Sequence, residues 1–272
     1  MTSNPRPSDT PCLGGTHNFR SLAGVTTADG RQIAAHKLLR SDRLSSLSEA
    51  DWQQLAAIGL RTICDLRGQE EIALAPTLVP AGLPLRMLQL DIRNDVRSDR
   101  TLSGQLGADP TEAGARRVML TIYARFPEAM APRLPALFEA LCRDDVGAED
   151  GAPLLVHCAA GKDRTGFVIA LLLHALGVPY EAVMADYLRA PPSLGLADPR
   201  LAHLQQHFRG QAGFDLPAEV LLPVLAVDPA YLDTAWQALD HNHGGADAYL
   251  LQTAGLTAER RERLRERLLT SP

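Results

Sequence analysis

The chain has 272 residues, 46% of them hydrophobic and 22% charged, a globular composition with enough apolar residues for one large core. Its formal net charge of -5 excludes the basic field that draws nucleic acid or an anionic membrane over a long range. Any anionic ligand must therefore be captured by local groups. The most apolar segment, 167–176, is broken by His174 and stops at Gly177, so no integral membrane segment is expected.

Residues 1–15 are rich in proline, serine and threonine, and we expect them to form a disordered tail. They lack the basic start and apolar stretch of a secretory signal, so a cytoplasmic protein is expected, with signal-independent secretion as the alternative. The four cysteines lie far apart without a CxxC pair: Cys12, Cys64, Cys142 and Cys158. This spacing argues against a disulfide framework and a structural zinc site, so no metal or cofactor is expected.

The first half of the chain carries turn, helix and strand signals in order. Asp29-Gly30, within 25–33, predicts a β-hairpin because both turn positions accept positive φ. Ser48 and Asp51 form a capping-box pattern at the head of a helix over 49–58, which Gly59 ends. Three apolar runs predict strands of one sheet: Leu60–Leu66, Leu85–Asp91 and Pro153–His157.

The second half is predicted to be mostly helical. Residues 95–150 indicate a flexible stretch, then helices at 112–126 and 128–143 separated at Pro127, and a loop at 147–151. Residues 165–176 are apolar on nearly all sides and predict a helix buried against the sheet. Six further short helices are predicted: 180–189, 199–208, 218–226, 230–241, 247–254 and 257–269.

This alternation indicates an α/β fold, a central mainly parallel sheet flanked by helices, with a C-terminal helical subdomain or lid. We expect one domain over 16–272, in which 180–272 form that helical subdomain.

The strongest motif is HCAAGKDRTG at 157–166, between a predicted strand and a predicted helix. The free N–H groups at a helix N-terminus favour an anion, so this loop can hold a phosphate. Arg164 follows Cys158 by six positions, which lets its guanidinium bind two phosphate oxygens above the sulfur. The same positive field favours the thiolate, the form of cysteine that acts as a nucleophile. The alternative is a buried cysteine at a strand end, followed by a charged turn.

HCAAGKDRTG resembles the HCxxGKDRTG signature of the atypical bacterial tyrosine phosphatases, a family with secreted mycobacterial and listerial members that have phosphoinositide activity. Further segments resemble that family: NFR at 18–20, ADGR at 28–31, LRSDRL at 39–44, DLR at 65–67 and AVMADYL at 182–188. The middle of the chain, 95–150, is unmatched. Ser21 stands where the family usually has an aspartate, so no catalytic role is assigned there. The resemblance implies a cysteine-dependent phosphatase fold and a phosphocysteine intermediate.

Two residues beside the nucleophile have two interpretations each. His157 either tunes the thiol through hydrogen bonds to the loop, as the resemblance implies, or is a structural histidine. Thr165 can bond the sulfur and help to expel the thiolate, or can cap the helix. The predicted catalytic residues are Cys158, Arg164, Asp163 and Thr165.

Two aspartates compete for the role of general acid. Asp163 is favoured, because the enzymes that this sequence resembles lack a separate acid loop, and the aspartate of their phosphate loop is commonly assigned as the general acid. Asp65 is the alternative; it can instead pair with Arg67 or orient the phosphate loop. The predicted substrate-binding residues are Ala159, Ala160, Gly161, Lys162, Gly166, Asp65 and Arg67.

Lys162 is notable because the chain has 27 basic residues and only Lys37 and Lys162 are lysines. The resemblance implies that Lys162 contacts a second phosphate, as in phosphoinositide phosphatases; the alternative is a solvated charge. Cys64 is expected to be a buried core residue rather than a resolving thiol. His241 and His243 are expected at a polar helix end and not at a metal.

The leading hypothesis is hydrolysis of phosphotyrosine, with phosphoserine, phosphothreonine or phosphoinositides as additional substrates. The expected partners are therefore phosphorylated proteins or phosphoinositides; the oligomeric state is not predicted. Two other functions compete: a phosphate-reading module without turnover, and a rhodanese-like sulfurtransferase, which also uses a loop cysteine. The presence of Cys158, Asp163 and Arg164 in one loop favours catalysis over a phosphate-reading module. The loop ends in Arg164-Thr165-Gly166, which fits a phosphatase better than a sulfurtransferase.

Overall fold

The computed structural model describes residues 10–93, 100–142, 153–193, 195–213 and 215–270. Five strands form one sheet: β1 (Arg20–Ser21), β2 (Leu38–Ser41), β3 (Thr62–Asp65), β4 (Arg86–Gln89) and β5 (Leu154–His157). The strand order is β1-β2-β5-β3-β4, and only β1 runs antiparallel to its neighbour. The predicted α/β class with a mainly parallel sheet is therefore confirmed.

Helices surround this sheet: α1 (Glu49–Ala57), α2 (Gln69–Leu74), α3 (Arg100–Ala108), α4 (Glu112–Ala124), α5 (Phe126–Met130), α6 (Leu134–Cys142), α7 (Asp163–Leu176), α8 (Tyr180–Leu188), α9 (Pro199–His207), α10 (Ala218–Leu225), α11 (Pro229–His243), α12 (Ala246–Ala254) and α13 (Ala258–Leu268). Short 3₁₀ and π turns lie at Gly195–Ala197 and Phe208–Ala212. Among the described residues, no helix has the length and apolar character needed to cross a membrane.

Successive side chains of a strand point to opposite sides, and the central strands β2, β3 and β5 are buried on both faces of the sheet. On one face, Leu39, Ile63 and Leu155 pack with α1. On the other face, Leu38 and Val156 join the large cluster that contains the apolar side chains of α7. This second face carries the helical half of the protein, so α7 lies between the sheet and the C-terminal helices.

Several predicted elements are present with small differences at their ends. Ser48 accepts from the Asp51 N–H and Asp51 accepts from the Ser48 N–H, which confirms the capping box at the head of α1. The turn at Asp29-Gly30 is present, with Gly30 at φ 86°, but its arms form a single bridge, Thr26 to Gln32, and no strand. The buried helix α7 begins at Asp163, two residues before the predicted start.

Several segments differ from the sequence prediction: α2 was not expected, and the helix expected over 128–143 is instead α5, which contains Pro127, and α6. The flexible stretch expected after residue 95 is wrong from Arg100 onward, because α3 forms there and buries Leu102 and Leu106. Strand β2, which has four buried residues and lies between β1 and β5, was also not predicted. Its two apolar residues are followed at once by Arg40 and Ser41, so it lacked an apolar run as long as the one that identified β5.

Other expectations fall partly outside the described residues. These are the loop at 147–151 and most of the disordered tail, residues 1–9. Gly14 and Gly15 donate backbone hydrogen bonds to the Asp51 carboxylate, so the chain is tied to the head of α1 from there on. The C-terminal helices pack on α4, α6 and α7, and their role as a lid stays a prediction.

Candidate active site

The candidate site is the loop between β5 and α7. β5 ends at His157, Cys158 follows with 2% of its surface exposed, and α7 begins at Asp163. Because the first N–H groups of a helix have no partner within it, the start of α7 presents donors and the positive end of the helix dipole. The strand and the helix thus place the cysteine sulfur at the base of an anion-binding loop.

The loop carbonyls of 159–161 are turned outward by three donors. The backbone N–H of Arg43 donates to Ala159 O at 3.1 Å. Asn18 Nδ2 donates to the next two carbonyl oxygens at 3.0 and 2.9 Å, and Arg40 Nη2 donates to the last at 2.8 Å. In the described part of the chain, the N–H groups of 159–163 donate to no protein acceptor. They remain available for the oxygens of a phosphate group.

Two glycines of the motif are required by close contacts. Gly161 has φ 64°, and a Cβ there would lie 2.4 Å from Ser41 O at the end of β2. A Cβ at Gly166 would lie 2.8 Å from the ring of Tyr187 on α8. Both glycines therefore allow neighbouring elements to lie close to the loop. The Gly166 N–H donates to Lys162 O at 2.8 Å, whereas the Gly161 N–H is among the donors left available for a ligand.

Arg164, predicted to bind phosphate, is held by a carboxylate that the sequence analysis missed. Its Nη1 and Nη2 atoms donate to the two carboxylate oxygens of Glu71 at 2.6 and 2.8 Å. Nη1 also donates to the backbone oxygen of Ile92 at 3.0 Å. Glu71 thus binds the Nη1–Nη2 edge of the guanidinium. An arginine has a second edge with two donors, formed by Nε and Nη2, and that edge can bind two phosphate oxygens.

Lys162 does not point freely into solvent. Its buried ammonium donates to Val224 O at 2.6 Å and to Ala226 O at 2.8 Å, both at the C-terminal end of α10. Burial lowers the pKa of Lys162, and the nearby Asp163 carboxylate opposes that shift. The solvated-charge alternative is therefore wrong, and a second phosphate would have to compete with two backbone carbonyls.

Asp163, the favoured acid, lies at the N-terminus of α7 with 27% of its side chain exposed. Its Oδ1 accepts from the hydroxyl of Tyr123 at 2.7 Å, and Lys162 Nζ lies 3.5 Å from the same oxygen. The hydroxyl of Tyr187 lies 2.8 Å from that of Tyr123. The structure thus brings the loop aspartate together with two tyrosines from α4 and α8.

Asp65 and Arg67, expected near the substrate, are 1% exposed and bond to each other. Arg67 Nε and Nη2 donate to the two carboxylate oxygens of Asp65 at 2.9 and 2.7 Å. Burial raises the pKa of Asp65, but Arg67 and His157 outweigh it and the net pKa is lowered. This is the pairing that the sequence analysis kept as the alternative for Asp65, and the geometry lends no support to direct substrate contact by either residue.

His157 and Thr165, on either side of the loop, are completely buried. His157 Nδ1 lies 3.2 Å from the Cys158 backbone oxygen, and Nε2 lies 3.6 Å from Asp65 Oδ2. Burial lowers the pKa of His157, which favours the neutral ring. Within the described residues, Thr165 Oγ1 has no hydrogen-bond partner, so it does not act as a helix cap. Its hydroxyl remains available for the sulfur.

The remaining candidate residues lie outside the loop between β5 and α7. Burial raises the pKa of Cys64 far above its ordinary value, so this thiol stays protonated and is a poor resolving nucleophile. His243 packs against the ring of Tyr249 and lies 3.6 Å from Glu128. Among the described residues, no three histidine, cysteine or acidic side chains are grouped to hold a metal.

Several residues that support the site were not predicted from the sequence: Asn18, Arg20, Arg40, Glu71, Tyr123, Asp186 and Tyr187. Most of them lie in segments that resemble the family, which was the available signal, but no role followed from the pattern alone. Tyr123 carries no local signal at all, because it is one aromatic residue on an amphipathic helix.

Known proteins with similar sequences are tyrosine phosphatases. A family model described as "Tyrosine phosphatase family" matches residues 11–270. Triple specificity protein phosphatase PtpB of Mycobacterium tuberculosis is 32% identical over 281 residues, which cover 94% of this chain and 98% of that protein. A Cupriavidus necator protein with the name "Putative tyrosine-protein phosphatase H16_A0669" is 32% identical over 234 residues, which cover 86% of this chain and 80% of that protein.

A solved structure is also similar. The crystal structure of P. aeruginosa TpbA covers 75% of this chain and 90% of its own, with 17% sequence identity and a TM-score of 0.30.

Proposed function

Because the chain belongs to the tyrosine phosphatase family, we propose that it hydrolyses phosphotyrosine in proteins through a phosphocysteine formed at Cys158. The observation that carries this proposal is the loop itself. Its carbonyls are held outward, its N–H groups have no protein acceptor in the described chain, and a cysteine lies at its base. Such a loop binds a phosphate dianion directly above a nucleophile.

In the first step, the Cys158 thiolate attacks phosphorus and the bond from phosphorus to the tyrosine oxygen breaks. The loop N–H groups and Arg164 stabilise the negative charge on the three equatorial oxygens in the transition state. Asp163 supplies a proton to the departing phenolate oxygen. The products of this step are tyrosine and phosphocysteine, with Asp163 left as a carboxylate.

In the second step, water attacks the phosphocysteine. Asp163 accepts a proton from this water, the phosphorus–sulfur bond breaks, and inorganic phosphate forms. Thr165 donates its hydroxyl hydrogen bond to the leaving thiolate, which is consistent with the unpartnered Oγ1 beside the loop. The thiolate and the protonated Asp163 are then restored for another turnover.

Asp163 is proposed as the acid over Asp65 for two reasons. Asp163 is partly exposed at the loop, whereas Asp65 is buried in a two-point pair with Arg67. The lowered pKa of Asp65 also keeps it ionised, and a carboxylate has no proton to donate. Asp65 and Arg67 are instead proposed to support the strand end on which the loop rests.

We propose phosphoserine, phosphothreonine and phosphoinositides as additional substrates to be compared with phosphotyrosine. The similarity to a protein phosphatase named for triple specificity supports a broad range. The contacts of Lys162 with α10 weigh against this lysine as a ready-made ligand for a second phosphate. A panel of phosphopeptides and phosphoinositides decides the range.

The first test is Cys158→Ser, with Cys142→Ser as the control at a buried cysteine that bonds Arg260 O far from the loop. We expect Cys158→Ser to abolish turnover of p-nitrophenyl phosphate and phosphotyrosine peptides while inorganic phosphate still binds by calorimetry. Cys142→Ser should keep the wild-type rate. Hydrolysis that survives in Cys158→Ser would falsify the proposed mechanism.

The two competing functions give different results in the same assays. A phosphate-reading module would bind phosphopeptides without turnover in the unaltered protein. A sulfurtransferase would consume thiosulfate and leave p-nitrophenyl phosphate intact. Either outcome would replace the proposal.

A further inference from the structure

The two oxygens of the Asp163 carboxyl group have different surroundings. Oδ1 accepts from the Tyr123 hydroxyl at 2.7 Å and has the Lys162 ammonium 3.5 Å away. Oδ2 has no hydrogen-bond partner among the residues that the structure describes. The C=O oxygen of a protonated carboxyl group is a better acceptor than its O–H oxygen, so a proton on this carboxyl is favoured on Oδ2, the oxygen without that bond.

The hydroxyl groups of Tyr123 and Tyr187 form a chain with a defined direction. Each hydroxyl has one hydrogen to donate, and the hydrogen of Tyr123 goes to Asp163. The 2.8 Å contact between the two hydroxyls is therefore donated by Tyr187. The order is Tyr187 to Tyr123 to Asp163, which links α8, α4 and α7.

Both tyrosines are held firmly by packing. Tyr123 is fully buried, with its ring 4.7 Å from that of Phe126 and 5.4 Å from that of Tyr231. Tyr187 lies against Gly166, where a Cβ would come within 2.8 Å of its ring. Rings fixed in this way hold their hydroxyls in place, so the position of Asp163 Oδ1 is set by the helices around the loop.

We propose that Tyr123 and Tyr187 are positioning residues for proton transfer: they hold Asp163 Oδ1 and leave Oδ2 to exchange the proton with the leaving group and water. This inference rests on the proposed function, in which Asp163 is the general acid.

The proton count agrees with this assignment. In the first step the Oδ2–H bond breaks and the leaving-group oxygen gains the proton; in the second step water returns a proton to Oδ2. Tyr123 donates to Oδ1 throughout and loses no proton itself. Burial, and then the charge of Asp163, raises the pKa of Tyr123 well above its ordinary value, so its hydroxyl hydrogen is present at all working pH values.

The test compares Tyr123→Phe with wild type on a good leaving group, p-nitrophenyl phosphate, and on poor ones, alkyl phosphates. A general acid matters most for a poor leaving group, and its loss costs about 100-fold or more there. We expect Asp163→Asn to show that full loss on alkyl phosphates. Tyr123→Phe should lose about 10-fold on alkyl phosphates and much less on p-nitrophenyl phosphate.

The matched control is Tyr249→Phe, which removes one hydroxyl from another fully buried tyrosine. That hydroxyl donates to Pro127 O at 2.6 Å and lies outside the Asp163 contacts. We expect a similar change in melting temperature for both variants but no leaving-group dependence for Tyr249→Phe. A purely structural role for Tyr123 would make the two variants alike, and that result would overturn the inference.

The double variant Tyr123→Phe/Asp163→Asn tests whether the tyrosine acts through the aspartate. We expect it to be no slower on alkyl phosphates than Asp163→Asn alone, because the hydrogen bond has nothing left to position. Losses that multiply would instead show that Tyr123 acts independently, against the inference.

Failure of the proposed function looks different from failure of this inference. Turnover that survives in Cys158→Ser removes the phosphocysteine mechanism. An Asp163→Asn variant without leaving-group dependence removes the acid assignment and, with it, the role of the tyrosines. If both behave as expected and Tyr123→Phe matches Tyr249→Phe, only the tyrosine inference is wrong.

Discussion

Arg164 and Glu71 make the most informative side-chain pair in the site. A guanidinium can rotate about its long side chain, yet a phosphate needs its plane in one orientation. Glu71 fixes that plane with two charge-assisted hydrogen bonds, and Ile92 O adds a third contact. Under the proposed function, Arg164 is therefore oriented before a phosphate arrives, so little ordering is left for the binding step.

Glu71→Ala should lower kcat/KM for p-nitrophenyl phosphate by about 10-fold or more, because Arg164 loses the two bonds that orient it. The measurement is steady-state kinetics with circular dichroism as a check on folding. Glu70→Ala is the control, since Glu70 is the exposed neighbour on the same helix. Equal kinetics for both variants would contradict the role given to Glu71.

At the level of elements, Lys162 connects the phosphate loop to α10. The last carbonyls of a helix lack partners and carry the negative end of its dipole, so a buried ammonium is a suitable cap. Lys162 donates to two of these carbonyl oxygens, at residues 224 and 226. Lys162 thus joins the loop to the helical half of the protein.

Lys162→Met should speed amide hydrogen exchange in α10 and lower kcat/KM for phosphotyrosine peptides and phosphoinositides by a similar factor, about 10-fold. The cause is the loss of the link between the loop and α10. Lys37→Met, at the only other lysine, is the control and should change neither quantity. A selective loss of phosphoinositide hydrolysis would instead support direct contact of Lys162 with a second phosphate.

Across the whole molecule, Asp186 holds distant parts of the chain around the loop. This buried aspartate on α8 accepts from Arg20 on β1 at 3.0 Å and from Arg40 on β2. Arg40 in turn donates to Gly161 O. Burial raises the pKa of Asp186, but the charges of Arg40 and Arg20 outweigh it, and the net pKa lies below 3.8. Asp186 is therefore ionised in the folded protein at neutral pH.

Because the pKa of Asp186 is lower in the folded state, its ion pairs contribute full stability above pH 3.8 and lose it as the pH falls through the folded-state pKa. Asp186→Asn should reduce the free energy of unfolding by about 3 kcal/mol at pH 7. That difference from wild type should shrink below pH 3.8 in urea titrations. Asp215→Asn, at an exposed pair with Arg209, should cost less than about 1 kcal/mol at pH 7.

Much of the fold and the centre of the site were predictable from local sequence. The strand–loop–helix order around Cys158, the capping box at Ser48 and the buried helix α7 depend on residues that are neighbours in the chain. Hydrophobic periodicity and backbone preferences act over a few residues, so they can be recognised without a structure. The mainly parallel sheet followed from the same pattern.

Other features depended on packing between distant segments. Glu71 reaches Arg164 across 93 positions and Asn18 reaches Gly161 O across 143, and no local pattern records either pairing. Arg40 lies in β2, which was not predicted because this charged residue shortens the apolar run. Its partner, Asp186, is on α8, far along the chain.

The sequence by itself determined the α/β class and predicted the candidate nucleophile and the candidate phosphate-binding loop, because each rests on residues close together in the chain. The tertiary structure alone decided how the neighbouring side chains are used. It paired Asp65 with Arg67, placed the Lys162 ammonium on α10 and put Asp163 beside Tyr123. The reason is physical: a charged or polar group that becomes buried must find a partner, and the folded packing determines which one is within reach.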